Sequence, residues 1–326
     1  MGYIFDALKR KKQSQADEVI DQPQDIIAEA AELSSDDQPT ESSHDNAAAI
    51  ADVQTESITA NEICELLAKE EEKAEEHIHI EPDLDWLANV DDRLIGLREP
   101  GSVMAEEYRA IRTSLLARWN NERHIVHTIT SATPQEGKTI TSLNLGLTFA
   151  ELHNRRSIVI EADLRLPTFE KLLHLGTEKG LIGYLRGELS LKDVIHKIGE
   201  NGLHVIPAGG RANNDAVQML SSQRMTALIE HLRSIYDHVI IDTPPVVELA
   251  DAGILGSQSD DVLLIARMNR TPRMLIDQAI KTLTSYNAPV SGMIATDQKR
   301  IRNKHYYYRY GYRYRYNNRY YTKPAA

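Results

Sequence analysis

The chain has 326 residues, of which 41% are hydrophobic, and its formal net charge is −11. These values predict one large folded domain or two smaller ones, together with tails. Cys64 is the single cysteine, so an intrachain disulfide is excluded, as fits a reducing cytoplasm. The sequence contains neither an apolar run near the ~18 residues of a membrane span nor the apolar core of a signal peptide, so a cytoplasmic protein is expected.

The charge is distributed unevenly along the chain. Residues 13–92 contain 24 acidic residues against two lysines, whereas residues 299–326 contain nine Lys or Arg and no acidic residue. The acidic stretch is poor in aromatic residues, which predicts a largely disordered region over residues 1–93. We expect a folded domain over residues 94–298, and after it a Tyr/Arg-rich tail over residues 299–326. Tails of opposite charge indicate different partners for the two ends.

The predicted elements of the folded domain alternate between helices and short strands. A helix over residues 105–119 precedes a strand over 124–130 and a helix over 139–152. Further strands are predicted at 157–160, 203–206, 238–241, 262–266 and 290–295, with helices at 217–236 and 274–286. Short apolar strands that alternate with helices predict an α/β fold of the P-loop NTPase type: a mostly parallel sheet with helices on both faces.

A phosphate-binding loop follows the first predicted strand and opens a helix. Backbone N–H groups at such a helix start bind phosphate, and Gly137 allows their close approach. Lys138 is expected to pair with the β and γ phosphates, and the Thr139 hydroxyl to bind Mg²⁺. The sequence therefore predicts ATP and Mg²⁺ as cofactors, bound by Ala132, Thr133, Pro134, Gln135, Glu136, Gly137, Lys138, Thr139 and Ile140.

Two further apolar strands end in carboxylates. Asp242 ends one of them, and Glu161 and Asp163 follow the other, with Arg165 two residues later. The carboxyl ends of parallel strands form the ligand-binding edge of an open α/β sheet. An isolated acid at a strand end also fits a turn or a helix cap. Beside a phosphate loop, these acids are expected to hold Mg²⁺ directly or through water.

These three motifs, in this order and followed by a C-terminal tyrosine cluster, resemble the bacterial tyrosine kinases of capsule and exopolysaccharide export, the BY-kinases. The likeness covers roughly residues 98–321 and includes the stretches 180–185 and 202–209. It implies an ATP-dependent protein-tyrosine autokinase that regulates exopolysaccharide or capsule polymerisation and export. The residues expected to act as phosphoacceptors are Tyr306, Tyr307, Tyr308, Tyr310, Tyr312, Tyr314, Tyr316, Tyr320 and Tyr321.

The resemblance also implies partners and residue roles. Glu106, Arg109 and Arg112 match a helix that the family uses for ring assembly, which implies a homo-oligomer and transfer between subunits. A separate membrane-spanning chain-length protein is the expected activator and a tyrosine phosphatase the expected antagonist, with the kinase at the inner face of the cell membrane. Asp163, with Thr139 and Asp242, is expected to organise Mg²⁺, and Arg165 to neutralise charge on the transferred phosphate.

Some positions depart from the family pattern. Glu161 stands where relatives usually have Asp, so either Glu161 or Asp163 is the expected proton acceptor for the tyrosine hydroxyl. Gln135 replaces a frequent Gly. Thr133 occupies the position of a second lysine in the partition and division-site ATPases, which argues against that alternative, a non-kinase ATPase switch.

A second alternative concerns the Tyr/Arg-rich tail, whose composition also fits nucleic-acid binding. The kinase motifs favour phosphorylation, so no nucleic-acid partner is expected. Because each phosphate adds roughly −1.5 to −2 charge, about five phosphotyrosines would cancel the tail's positive charge. This predicts assembly of the unphosphorylated protein and release after phosphorylation.

Overall fold

The computed structural model describes residues 78–80, 84–176, 178–199, 202–212 and 214–297. The nine tail tyrosines and residues 1–77 lie outside these ranges. Folded structure begins before the predicted boundary at residue 94, because helix α1 spans Leu84–Asn89. Trp86 and Val90 are buried, and the Trp86 indole donates a hydrogen bond to the Leu173 carbonyl. This burial offsets the entropy cost of ordering a segment with an acidic composition.

The core of the fold is one eight-stranded sheet. Its strands are β1 (Ile78–Ile80), β2 (Ile125–Ser131), β3 (Ser157–Glu161), β4 (His196–Ile198), β5 (Leu203–Ile206), β6 (His238–Asp242), β7 (Asp261–Arg267) and β8 (Val290–Thr296), in the spatial order β1-β4-β5-β3-β6-β2-β7-β8. All neighbours pair in parallel except β4 and β5. The predicted α/β class with a mostly parallel sheet is confirmed, whereas the short strands β1 and β4 were not predicted.

Helices cover both faces of the sheet. After α1 they are α2 (Ile95–Arg98), α3 (Val103–Arg118), α4 (Lys138–Ala150), α5 (Phe169–Leu173), α6 (Leu181–Leu185), α7 (Ala216–Leu220), α8 (Gln223–Ile235), α9 (Asp251–Gly256) and α10 (Arg273–Ser285), with a 3₁₀ turn at Leu191–Asp193. Alternate strand residues pack to opposite sides: Ile158 joins the cluster with α6 and α8, and Val159 joins the cluster with α4 and α5. This alternation follows from the two-residue period of a strand.

The predicted helix over residues 217–236 is two helices. Helix α7 ends at Leu220, and α8 begins after Ser222, whose side chain accepts a hydrogen bond from the Met225 amide. Serine is a preferred N-cap residue, so the pair Ser221–Ser222 permits a break that the apolar spacing alone conceals. Leu220 and Met225 are both fully buried, so the apolar pattern runs across the break.

Candidate active site

The phosphate loop joins β2 to α4. Gly137 has φ 97° and Gln135 has φ 62°, so the chain adopts left-handed geometry at both positions. Glycine adopts this geometry without steric cost, which accounts for Gly137 directly before the helix. The Ser131 hydroxyl donates to the Thr133 carbonyl over 2.7 Å, and Lys138 is buried at the start of α4. Ala132 is also buried, whereas Pro134 and Gln135 are exposed and Thr139 and Ile140 are half-buried.

Asp242 lies beside this loop because β6 pairs with β2. It is 1% exposed, and the Ser142 hydroxyl on α4 donates to its Oδ1 over 3.0 Å. Its Oδ2 is buried and has no hydrogen-bond partner among the described residues. Burial raises the pKa of Asp242 to about 7; the Lys138 and Thr139 side chains lower this pKa, whereas the charge of Asp163 raises it.

This arrangement fits Mg²⁺ held together with a nucleotide. Magnesium prefers oxygen ligands and usually retains phosphate and water in its coordination shell. The unpartnered Oδ2 of Asp242, the Thr139 hydroxyl and the Asp163 carboxylate provide oxygen at the carboxyl edge of the sheet. Within the described ranges, no group of three or more His, Cys, Asp or Glu side chains is arranged to hold a metal ion.

Glu161 has a different environment from the one expected of a proton acceptor. Its Oε1 accepts from the amides of Thr168 and Phe169, the latter over 2.7 Å, and its Oε2 accepts from the Ala208 amide over 2.9 Å. Burial raises its pKa to about 7, while these three backbone donors lower it. Both oxygens are thus occupied by the backbone, and Glu161 joins the loops that follow β3 and β5. Glu161 is also only 1% exposed whereas Asp163 is half-buried, so this geometry favours Asp163 over Glu161 as the proton acceptor.

Asp163 and Arg165 lie in the loop between β3 and α5. Asp163 is half-buried, and its Oδ1 accepts from the Leu166 amide over 3.1 Å. The Arg165 guanidinium contacts the buried Asp251 carboxylate, with Nε 3.1 Å from Oδ2 and Nη2 3.4 Å from Oδ1. Arg165 is therefore anchored to the first residue of α9, a partner that the sequence did not indicate.

The two family-like stretches 180–185 and 202–209 meet beside Glu161. Amides at the start of α6 donate to carbonyls of the loop after β5, with Leu181 N to Pro207 O at 2.8 Å and Ile182 N to Ala208 O at 3.0 Å. The backbones of Gly180 and Gly209 are in direct contact. The backbone that Glu161 binds is thereby held from both sides.

The predicted assembly residues are paired inside the subunit. Arg109 contacts Glu106 at 2.7 Å and Glu151 at 2.6 Å, and Arg112 contacts Glu151 at 3.1 Å and the Thr148 carbonyl. Glu151 directly follows α4, so this cluster packs α3 against the helix of the phosphate loop. Sequence reasoning missed Glu151 because it lies 39 residues beyond Arg112. Ser142 was missed as well, although it follows Lys138 by one helical turn and therefore lies on the same helix face.

The described residues contain no helix that is both long enough and apolar enough to cross a membrane.

Comparisons with known proteins agree with this site. A family profile described as an AAA domain matches residues 133–289. The chain is 33% identical over 215 residues to tyrosine-protein kinase YwqD of Bacillus subtilis, a match that covers 66% of this chain and 90% of that protein. It is 32% identical over 213 residues to a putative tyrosine-protein kinase in the cps region of Klebsiella pneumoniae. That match covers 65% of this chain but only 29% of the longer Klebsiella protein.

Solved structures show the same likeness. The kinase domain of Escherichia coli tyrosine kinase ETK aligns with a TM-score of 0.59 and 29% identity, covering 69% of this chain and 91% of that domain. The VpsO kinase domain aligns with a TM-score of 0.54 and 31% identity, covering 59% of this chain and 94% of that domain. Because the site geometry, the fold and a relative matched over most of its length agree, the chain belongs to the family of bacterial tyrosine kinases, the BY-kinases.

Proposed function

We propose that this protein transfers the γ-phosphate of ATP to tyrosines of its own C-terminal tail, between subunits of an oligomer. The observation that carries the proposal is the buried Asp242 carboxylate, which has one oxygen held by Ser142 and the other unpartnered beside Lys138 and Thr139. An isolated buried carboxylate oxygen is costly unless a ligand pairs with it. A bound metal and triphosphate would provide that pairing.

Each step of the reaction has a residue to perform it. Lys138 and the backbone amides of the phosphate loop would hold the phosphates, while Thr139, Asp242 and Asp163 would hold Mg²⁺. When bound, Mg²⁺ neutralises charge that develops on the phosphate oxygens. The tyrosine oxygen forms a bond to the γ-phosphorus as the bond to the β–γ bridging oxygen breaks, and ADP leaves. We assign the hydroxyl proton to Asp163, which is half-buried, because Glu161 is only 1% exposed and three backbone amides donate to its oxygens.

The start of the tail supports access to such a site. Strand β8 runs parallel to β7, and the hydroxyl of its last residue, Thr296, donates to the Glu136 carbonyl over 2.8 Å. The chain therefore leaves the sheet beside the phosphate loop. Tyr306 follows Asp297 by nine residues, a reach of up to ~30 Å, and the whole tail spans up to ~90 Å when extended. This length permits transfer at the protein's own site and at the site of a neighbouring subunit.

The cellular role is proposed by analogy with relatives. The Klebsiella protein is named for a cps region, which supports a role in capsule or exopolysaccharide polymerisation and export. We infer a membrane-spanning co-polymerase as activator, a tyrosine phosphatase as antagonist and a location at the inner face of the cell membrane. Ring assembly through Glu106, Arg109 and Arg112 belongs to the same proposal.

The test is mass spectrometry of the C-terminal peptide after incubation of the full chain with ATP and Mg²⁺. Wild type is expected to carry phosphotyrosine, and Lys138→Met to carry none. Lys192→Met, which changes an exposed lysine outside the phosphate loop, should behave as wild type. ATP hydrolysis by a wild-type protein whose tail stays unmodified, even with its activator present, would support the ATPase switch instead.

A further inference from the structure

The Glu136 side chain is a buried carboxylate inside the phosphate loop, and it has no basic partner in the described part of the chain. It is 3% exposed, and its Oε2 has no hydrogen-bond partner among those residues. Its Oε1 accepts from the Thr133 hydroxyl over 2.8 Å and from the Thr271 hydroxyl. Burial of a carboxylate is costly, so its presence here needs a reason other than packing.

Glu136 connects the phosphate loop to two other segments. Thr271 lies between β7 and α10, and its hydroxyl oxygen also accepts from the Arg267 amide over 2.9 Å. Because the Arg267 amide donates to the Thr271 hydroxyl oxygen, the proton of the Thr271 hydroxyl points to the Glu136 carboxylate instead. The Glu136 carbonyl accepts from the Thr296 hydroxyl over 2.8 Å. Side chain and backbone of one residue thus contact the loop after β7 and the end of β8.

These contacts lie on the side of the loop away from the metal-binding acids. The sheet order is β6-β2-β7-β8, so Asp242 flanks the phosphate loop on one side, and Thr271 and Thr296 flank it on the other. Glu136 directly precedes Gly137 and Lys138, whose amides and ammonium group would contact phosphate. A shift of Glu136 would therefore move the phosphate-binding groups themselves.

We propose that Glu136 is a positioning residue for the nucleotide, with Thr271 as its main partner. Its carboxylate holds the phosphate loop in the shape that binds phosphate and connects that shape to the loop after β7. Loss of either side chain weakens nucleotide binding. This inference rests on the proposed nucleotide site but does not require that tyrosine is the acceptor.

The experiment measures binding of ADP with Mg²⁺ to the full chain by calorimetry, and thermal unfolding of the unliganded protein. Thr271→Val removes the hydroxyl and keeps the shape, and Glu136→Ala removes the carboxylate. Glu136→Gln retains a carbonyl oxygen that accepts from both threonines. Hydrogen bonds to a charged group support an expected loss of roughly tenfold or more in ADP affinity for Thr271→Val and Glu136→Ala. For Glu136→Gln the expected loss is less than about threefold.

Thr284→Val is the matched control, because this exposed hydroxyl donates only within α10. It should change ADP affinity by less than about twofold. In kinase assays, Thr271→Val should raise the KM for ATP by a larger factor than it lowers kcat. Wild-type ADP affinity in Thr271→Val would overturn the inference, even if Glu136→Ala fails to fold. A wild type that binds ADP but leaves tyrosine unmodified would contradict the proposed kinase function and not this inference.

Discussion

The Ser142 hydroxyl on α4 lies 3.0 Å from Oδ1 of Asp242 at the end of β6. The helix that begins at the phosphate loop therefore also orients the carboxylate proposed to bind metal. Since Ser142 engages one oxygen and the other has no partner among the described residues, the carboxylate is held with its second oxygen available to a ligand.

We expect Ser142→Ala to lower the affinity for Mg²⁺ and so to raise the Mg²⁺ concentration that the reaction requires. Loss of a hydrogen bond to a metal-binding carboxylate typically costs about 10- to 100-fold in metal affinity. The measurement is the half-saturating Mg²⁺ concentration for phosphotyrosine formation at fixed ATP. Ser114→Ala removes an exposed hydroxyl on α3 that bonds only to the Ala110 carbonyl, and it should leave this concentration unchanged. An identical Mg²⁺ requirement in Ser142→Ala and wild type would show that Asp242 does not depend on this bond.

Glu161→Gln is expected to destabilise the fold but retain measurable kinase activity. The amide can accept through one oxygen only, so at least one of the Thr168, Phe169 and Ala208 amides loses its partner. A buried group left without a partner costs about 1–3 kcal/mol. Urea unfolding measures this loss of stability, and the rate of phosphotyrosine formation measures any separate effect on catalysis. A stable but inactive Glu161→Gln protein would instead identify Glu161 as the proton acceptor.

Asp163→Asn is expected to lower the rate of phosphotyrosine formation by ~100-fold or more, because the proposed proton acceptor is removed.

Gly180→Ala should destabilise the junction between α6 and the loop after β5. A Cβ at this position would lie 2.3 Å from the Pro207 carbonyl oxygen and 2.4 Å from the Gly209 nitrogen. Both atoms belong to backbone, so relief requires movement of the loop that Glu161 binds. Overpacking of this kind costs typically about 1–3 kcal/mol or more in the free energy of unfolding. Gly101→Ala is the control, since a Cβ there meets no atom within 4 Å.

Arg112→Ala is expected to lower the free energy of unfolding by roughly 1–3 kcal/mol, because the Thr148 carbonyl and Glu151 lose a half-buried charged donor. Glu106→Ala removes an exposed i,i+3 ion pair with Arg109 and should change the free energy of unfolding by less than about 0.5 kcal/mol. Chemical unfolding gives these values, and light scattering gives the oligomer size of both variants. If the helix is an assembly surface, both changes reduce oligomer size. Arg112→Ala as stable as wild type would exclude the internal role.

Acid should destabilise the protein through His238. Its ring stacks on Phe149 with centroids 3.9 Å apart and lies near His127 and Arg155. Burial first, and then electrostatic interaction with His127 and Arg155, lowers its pKa from 6.5 to about 2. The folded state therefore keeps His238 neutral, while the unfolded chain binds a proton below pH 6.5. The contribution of neutral His238 to the free energy of unfolding is therefore complete above pH 6.5 and is lost progressively as pH falls towards 2.

The corresponding measurement compares wild type with His238→Phe, which retains an aromatic ring for stacking. Between pH 7.5 and 5.5, wild type should lose about 1.4 kcal/mol more in unfolding free energy than the variant, as follows from one titrating group. Titrating groups that do not contact His238 contribute equally to both proteins and cancel in this comparison. Equal pH dependence of the two proteins would mean that His238 binds its proton over the same pH range in the folded and unfolded states.

Sequence patterns alone predict the α/β class, the phosphate loop around Lys138 and the placement of Asp163 and Asp242 at strand ends. These features are local, because a strand, a loop and a helix start are adjacent in the chain, and parallel strands bring their carboxyl ends to one edge. The boundaries of the six predicted strands followed for the same reason, each within one residue of the observed ones.

The contacts around these residues could not be predicted from the sequence and became visible in the folded chain. Glu161 matched a catalytic motif but binds backbone from the loop after β5, 47 residues away, and Glu136 contacts Thr271 across 135 residues. Such contacts depend on strand order and register, which parallel pairing sets over long sequence distances. Strands β1 and β4 were missed for the same reason, since three-residue strands carry too little periodicity and are defined by their neighbours in the sheet.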